Sequence, residues 1–118
     1  LEAFCDQLDG VIYHLDGPDA IKHLDRLLEL PKLHAIQWTP GTGNPTGLYW
    51  IDLFKRIQSK GKGVNVSLDR SEVARAVREL RPEGLFLSTG ATTIQEAEAI
   101  LKDATQATKE RRGEDRDL

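Results

Sequence analysis

The sequence predicts an α/β domain of four β/α units with parallel strands, one half of a (β/α)8 barrel of the TIM type. Three observations carry this. Four short runs rich in β-branched and aromatic residues recur along the 118 residues. Each run is followed by a stretch with apolar residues at helical spacing. The pitch, four units in about a hundred residues, matches a barrel in which eight units take roughly 250. Strands that alternate with helices in this way pair in parallel through right-handed crossovers. A flavodoxin-like sheet would show five strands.

Leu1, Phe4, Cys5 and Leu8 fall at i, i+3, i+4 and i+7 with no capping residue in front of them. The chain thus opens as if inside a helix, and the expectation is the C-terminal piece of a longer parent; a short helix at a true N-terminus has the same stripe. Val11-Ile12-Tyr13-His14-Leu15 is the first strand. The Gly17-Pro18 turn then opens a helix with Ile21, Leu24, Leu27 and Leu28 on one face. Pro31 stops it, and His34-Ala35-Ile36-Gln37-Trp38 is the second strand. A glycine-rich loop from Pro40 to Gly47 leads to a helix marked by Ile51, Phe54 and Ile57 that ends near Gly61. Val64-Asn65-Val66-Ser67-Leu68 is the third strand, and Ser71 is the expected cap of a helix carrying Val73, Val77 and Leu80. Leu85-Phe86-Leu87-Ser88 is the fourth. Thr93 with Glu96 three residues on is a capping box for the last helix, whose buried stripe is expected to include Ala97, Ile100 and Leu101. Residues 1–104 make the half-barrel and residues 105–118 a charged tail, solvated or loose.

Composition excludes several functions. There are 16 basic and 19 acidic side chains, a net charge of −3, and no basic cluster free of interleaved acids. The electrostatic footprint of a nucleic-acid binder is therefore missing. No apolar run approaches the roughly 20 residues of a membrane span, so neither nucleic acid nor membrane is an expected partner. Cys5 is the single cysteine. It rules out an internal disulfide and a Cys-rich zinc module, and fits a reducing, cytoplasmic location.

Alternation across a strand gives the candidate site. Ile12, His14 and Asp16 share one face of the first strand, Asn65, Ser67 and Asp69 one face of the third. Gln37 and Thr39 end the second strand together, and Ser88 and Thr89 end the fourth. In a barrel the outward face lies under helices and is apolar, while polar groups at the C-terminal strand ends converge on the active-site mouth. The competing reading is a polar face that merely meets water. His14 and Asp16, at i and i+2, share a metal ion, a proton or a ligand in the functional reading, and are a structural hydrogen-bonded pair in the other. His23 and His34 complete no triad. The loop of Gly41, Gly43 and Gly47 precedes a helix, as anion-binding loops do. Its spacing is not the dinucleotide fingerprint, and Pro45 removes one donor.

At Tyr13-His14-Leu15-Asp16-Gly17 and His34-Ala35-Ile36-Gln37-Trp38-Thr39-Pro40-Gly41 the chain resembles the C-terminal half of uroporphyrinogen decarboxylase-like proteins. Gly61-Lys62-Gly63-Val64, Arg81-Pro82-Glu83-Gly84-Leu85-Phe86-Leu87 and Thr93-Ile94-Gln95-Glu96-Ala97-Glu98 follow in the order of that family. The likeness covers residues 1 to 104 and rests on order and spacing. It implies a (β/α)8 barrel that is either a cofactor-free decarboxylase of tetrapyrroles or a methyltransferase acting between a corrinoid and a thiol. The methyltransferase branch's His-x-Cys zinc pair falls on His14 and Asp16, where Asp replaces the Cys. Its third ligand, another Cys, falls around Ser88 to Thr92, where there is none. No metal or cofactor is therefore carried over; zinc stays open through His and carboxylate, but without the thiolate charge that activates a thiol. The arginines and aspartate of the decarboxylase branch lie mainly in the other half.

The resemblance and the strand faces together imply one wall of a substrate pocket, inactive alone, for a tetrapyrrole or corrinoid small molecule. His14 is the expected acid/base, oriented by Asp16, with Gln37, Trp38, Gly41, Ser67, Asp69 and Ser88 binding substrate and Trp38 a flat wall for a large ring. The alternative is a non-enzymatic, self-associating half-barrel that binds at most a small ligand. Open strand edges and the inner apolar positions Ile12, Ala35, Leu85 and Leu87, or their neighbours according to register, predict a homodimer through the strands.

Overall fold

The computed structural model describes residues 11–117. The apolar stripe of Leu1, Phe4, Cys5 and Leu8 lies outside them. Four β/α units follow one another. Strand β1 (Val11–Asp16) leads through a 3₁₀ turn at Pro18–His23 into α1 (Leu24–Leu28). Strand β2 (Leu33–Thr39) leads through Gly47–Trp50 into α2 (Ile51–Ser59), and β3 (Gly63–Ser67) through Arg70–Glu72 into α3 (Val73–Glu79). Strand β4 (Leu85–Ser88) precedes α4 (Ile94–Asp117), which runs unbroken through residue 104 and the charged stretch after it. The sheet is all parallel, with the strands side by side in chain order.

The two faces of this sheet differ as the alternation requires. Leu15, Ile36, Trp38, Val64, Val66 and Leu68 are buried under the helices with Leu24, Phe54, Ile57, Ala76 and Leu80. Phe54 and Ile57 sit on the apolar side of α2 and are fully buried, each removing about 2–3 kcal/mol of apolar surface from water. On the other face Ile12, His14, Asp16, Gln37, Ser67, Phe86 and Ser88 are exposed. Helices α1, α2 and α3 bury their apolar sides on the first face.

Two local expectations are corrected and one open choice of register is decided. The helix after β3 is capped by Asp69, not Ser71: the Asp69 carboxylate accepts the Ser71 N–H at 3.0 Å, and Glu72 reaches back to the Asp69 N–H at 3.2 Å. Leu85 and Leu87 lie on the helix side of β4, half-buried, and Phe86 holds the open face. Among the described residues of α4 the buried one is Ala107, while Leu101 is 68% exposed, because α4 packs chiefly along α3. The cap of α4 is Thr93, whose hydroxyl accepts the Glu96 N–H at 3.1 Å; the Glu96 carboxylate takes the Thr92 N–H at 2.8 Å.

Candidate functional site

The parallel register arranges the open face in levels. His14 of β1, Gln37 of β2, Asn65 of β3 and Phe86 of β4 stand at one level across all four strands. One step closer to the C-terminal ends, Asp16 pairs with Thr39 and Ser67 with Ser88. The structure therefore brings His14, Asp16, Gln37, Ser67 and Ser88 onto one surface. In sheets with helical crossovers this end is where ligands bind, because the connecting loops are free to vary there.

The partner of His14 is Gln37: Nδ1 lies 3.1 Å from Gln37 Oε1. Asp16, expected to orient the imidazole, is in register with Thr39. Trp38 goes to the other face, where it is buried and meets Trp50 edge-on at 5.1 Å between ring centres. It is a core residue of the β2 end, and its parity, opposite to Gln37 and Thr39, already separates it from the polar row.

Two clefts open at the rim. One of about 370 Å³ lies between the ends of β2 and β3 and is lined by Thr39, Pro40, Thr46, Ser67 and Asp69 with Trp38 in its wall. Its neighbour of about 310 Å³ is lined by Asp69, Arg70, Thr89, Gly90 and Thr92. Gly41 sits in the loop beyond β2, with a φ of 86° and its carbonyl accepting the Asn44 N–H at 3.4 Å. It lines neither cleft.

The acidic groups of the rim serve the loops themselves. The Ser71 hydroxyl and backbone N–H hold the Asp69 carboxyl below its ordinary value, helped by the charge of Arg70. The Thr92 hydroxyl and N–H hold that of Glu96 down, again with help from Arg70, which pairs with it at 2.5 Å. Glu72, which no sequence argument singled out as a site-builder, joins two loops. Its carboxylate accepts the Asp69 N–H on one side and the Leu48 N–H at 2.8 Å on the other. The spacing Asp69-x-x-Glu72 was the signal for it. Asn65, at the level of His14 and Gln37, belongs to the site by parity.

Among the described residues no three His, Cys, Asp or Glu side chains are gathered as a metal site. None of their helices is long and apolar enough to cross a membrane. Comparison with protein-family models, curated proteins and solved structures gives no match.

Proposed function

We propose that this chain forms one wall of the substrate pocket of a barrel enzyme similar to the uroporphyrinogen decarboxylase-like proteins, of the decarboxylase or methyltransferase class. One observation carries the reading. A parallel sheet in sequential order keeps all its described helices on one face and a graded polar surface on the other, with His14, Gln37, Asn65, Ser67 and Ser88 toward the C-terminal ends. A doubly wound sheet buries both faces under helices. A strand row that is polar and uncovered suits the interior mouth of a half-barrel.

The chemistry that this wall supplies is proton transfer and polar anchoring. Loss of carbon dioxide from a carboxylate leaves a carbon that must be protonated. In this reading His14, hydrogen-bonded to Gln37, supplies that proton, and Ser67 and Ser88, side by side on the same face, hydrogen-bond the carboxylate oxygens. No step is assigned to a metal.

The test is tetrapyrrole binding and turnover by the protein. Uroporphyrin is expected to bind saturably, and His14→Ala to lower decarboxylation of uroporphyrinogen by about 10²-fold or more with an unchanged circular dichroism spectrum. Unchanged turnover in His14→Ala removes His14 from the mechanism. Absence of binding by both uroporphyrin and a corrinoid refutes the substrate class and leaves the non-enzymatic half-barrel.

A further inference from the structure

The sheet is unfinished at both sides. Strands β1 and β4 each pair with one neighbour among the described residues, so each shows an edge of unpaired backbone groups. All three existing pairings are parallel. The free edge of β4 is therefore complementary to the free edge of β1, in the same sense in which β3 receives β4.

The side chains follow the same logic. On the open face the large apolar groups occur only on the two outer strands, Ile12 at 60% exposure on β1 and Phe86 at 63% on β4. Between them the inner strands present Gln37, Thr39, Asn65 and Ser67. Two sheets stacked face to face would need their apolar groups at the centre. Apolar groups confined to the outer strands suit a join made edge to edge.

The helix side repeats the pattern. In a β/α repeat each helix packs across its own strand and the next one. Helix α4 leans on α3, and between it and β4 runs an apolar groove of about 410 Å³. Leu85, Leu87, Val77, Ile100 and Leu101 line it. The outward row of β1, Val11 and Tyr13, is only half-buried in its own chain.

We propose that two copies of this chain join edge to edge, β4 of each against β1 of the other, and so close eight parallel strands around the polar face. The inference deepens the pocket reading and rests on it, for the second copy supplies the other wall. Two-fold symmetry makes the two seams identical and leaves no edge open. Each seam buries Ile12 of one copy against the β4 side of the other and sets Val11 and Tyr13 into the groove below α4.

Multi-angle light scattering on the chain at about 50 μM, a concentration at which an interface of standard size stays formed, is expected to give twice the chain mass of 13.2 kDa. Leu101→Glu and Phe86→Glu are expected to give the monomer mass. Ile94→Glu, on the same helix and 78% exposed but outside the groove, is expected to stay dimeric. All three residues are exposed, and circular dichroism checks that each variant folds. A wild-type monomer overturns the proposal, and slow amide exchange along β1 and β4 in that monomer would assign the edges to another segment of the same chain. A dimer indifferent to both Leu101→Glu and Phe86→Glu overturns it equally. A monomer that binds uroporphyrin through His14 sinks the pairing alone, whereas a dimer that binds neither tetrapyrrole nor corrinoid sinks the pocket reading alone.

Discussion

Substituting Gly47 by alanine tests how the rim of the sheet is held together. Gly47 sits at the end of the loop after β2 with a φ of 64°, a conformation that costs an L-residue with a Cβ about 1–2 kcal/mol. A Cβ there would lie 2.2 Å from one Glu72 carboxylate oxygen and 2.7 Å from the other. That carboxylate is the free end of a flexible side chain, so it swings away and the overlap itself costs little. What is lost is its hold on the Leu48 N–H at 2.8 Å, a bond to a charged acceptor of about 1.5–3 kcal/mol. Gly47→Ala is thus expected to destabilise the fold by about 2.5–5 kcal/mol. Urea denaturation at fixed protein concentration reads the loss, and a double-mutant cycle separates its parts. In a Glu72→Ala background the same substitution should cost only the backbone share, about 1–2 kcal/mol. Equal costs in both backgrounds would refute the claim that Glu72 couples the two loops.

The contrasting glycine is Gly63, whose Cβ would meet the Gly84 carbonyl oxygen at 2.7 Å and the Ala35 Cβ at 3.2 Å. Here the obstacle is backbone that also receives the Val64 N–H at 3.1 Å, so β3 and β4 must part. Gly63→Ala should cost about 2–4 kcal/mol and speed amide exchange in β4, and a loss under 1 kcal/mol would contradict it. Acid should loosen both rim caps. Asp69 and Glu96 have folded-state values below their ordinary 3.8 and 4.5, the first chiefly through the Ser71 hydroxyl and the second chiefly through that of Thr92. Below those ordinary values the unfolded chain takes up protons first, so their contribution is complete above about pH 5 and disappears as pH falls through the depressed values. Carboxyl titrations followed by NMR should show Asp69 move up in Ser71→Ala and Glu96 in Thr92→Ala; unmoved values would remove the hydroxyls as the cause.

The four strands were legible because each is a β-branched or aromatic run bounded by glycine or proline, and because His14, Gln37, Asn65 and Ser67 fall on the polar beat of the alternation. The pairing of His14 with Gln37 was not legible, for it depends on the register between strands 23 residues apart. Asp16 is nearer in sequence and shares the face, which made it the natural but mistaken choice of partner. Leu85-Phe86-Leu87 is apolar at three successive positions, so alternation had nothing to distinguish, and only the packing of Leu85 and Leu87 toward the helices decides the faces. In α4 the periodicity grouped Ala97, Ile100 and Leu101 correctly as neighbours. It carried no information on what they would face, and a helix that leans on α3 leaves Leu101 in the open. At the third helix the information was present: Asp69 has a glutamate three residues on and Ser71 has Ala74, so the capping-box rule favours the residue that does the capping.

The same caps narrow the choice among the polar residues of the rim. Asp69 already accepts from the Ser71 N–H and hydroxyl, at 3.0 and 2.5 Å, and Glu96 accepts from Thr92 and pairs with Arg70. A substrate that recruited either carboxylate would have to break the hydrogen bonds that cap a helix. Glu72 is committed to Leu48 and Asp69 in the same way. These three acids therefore fix the loops around the clefts, and in the proposed pocket chemistry would fall to groups whose hydrogen bonds do not hold the fold. His14 with Gln37, and Ser67 beside Ser88, meet that condition on the open face. Substituting them should change ligand affinity or turnover with little change in the urea midpoint, while Glu72→Gln should lower the midpoint. The opposite pattern, stability lost at His14 and binding lost at Glu72, would move the site from the sheet to its loops.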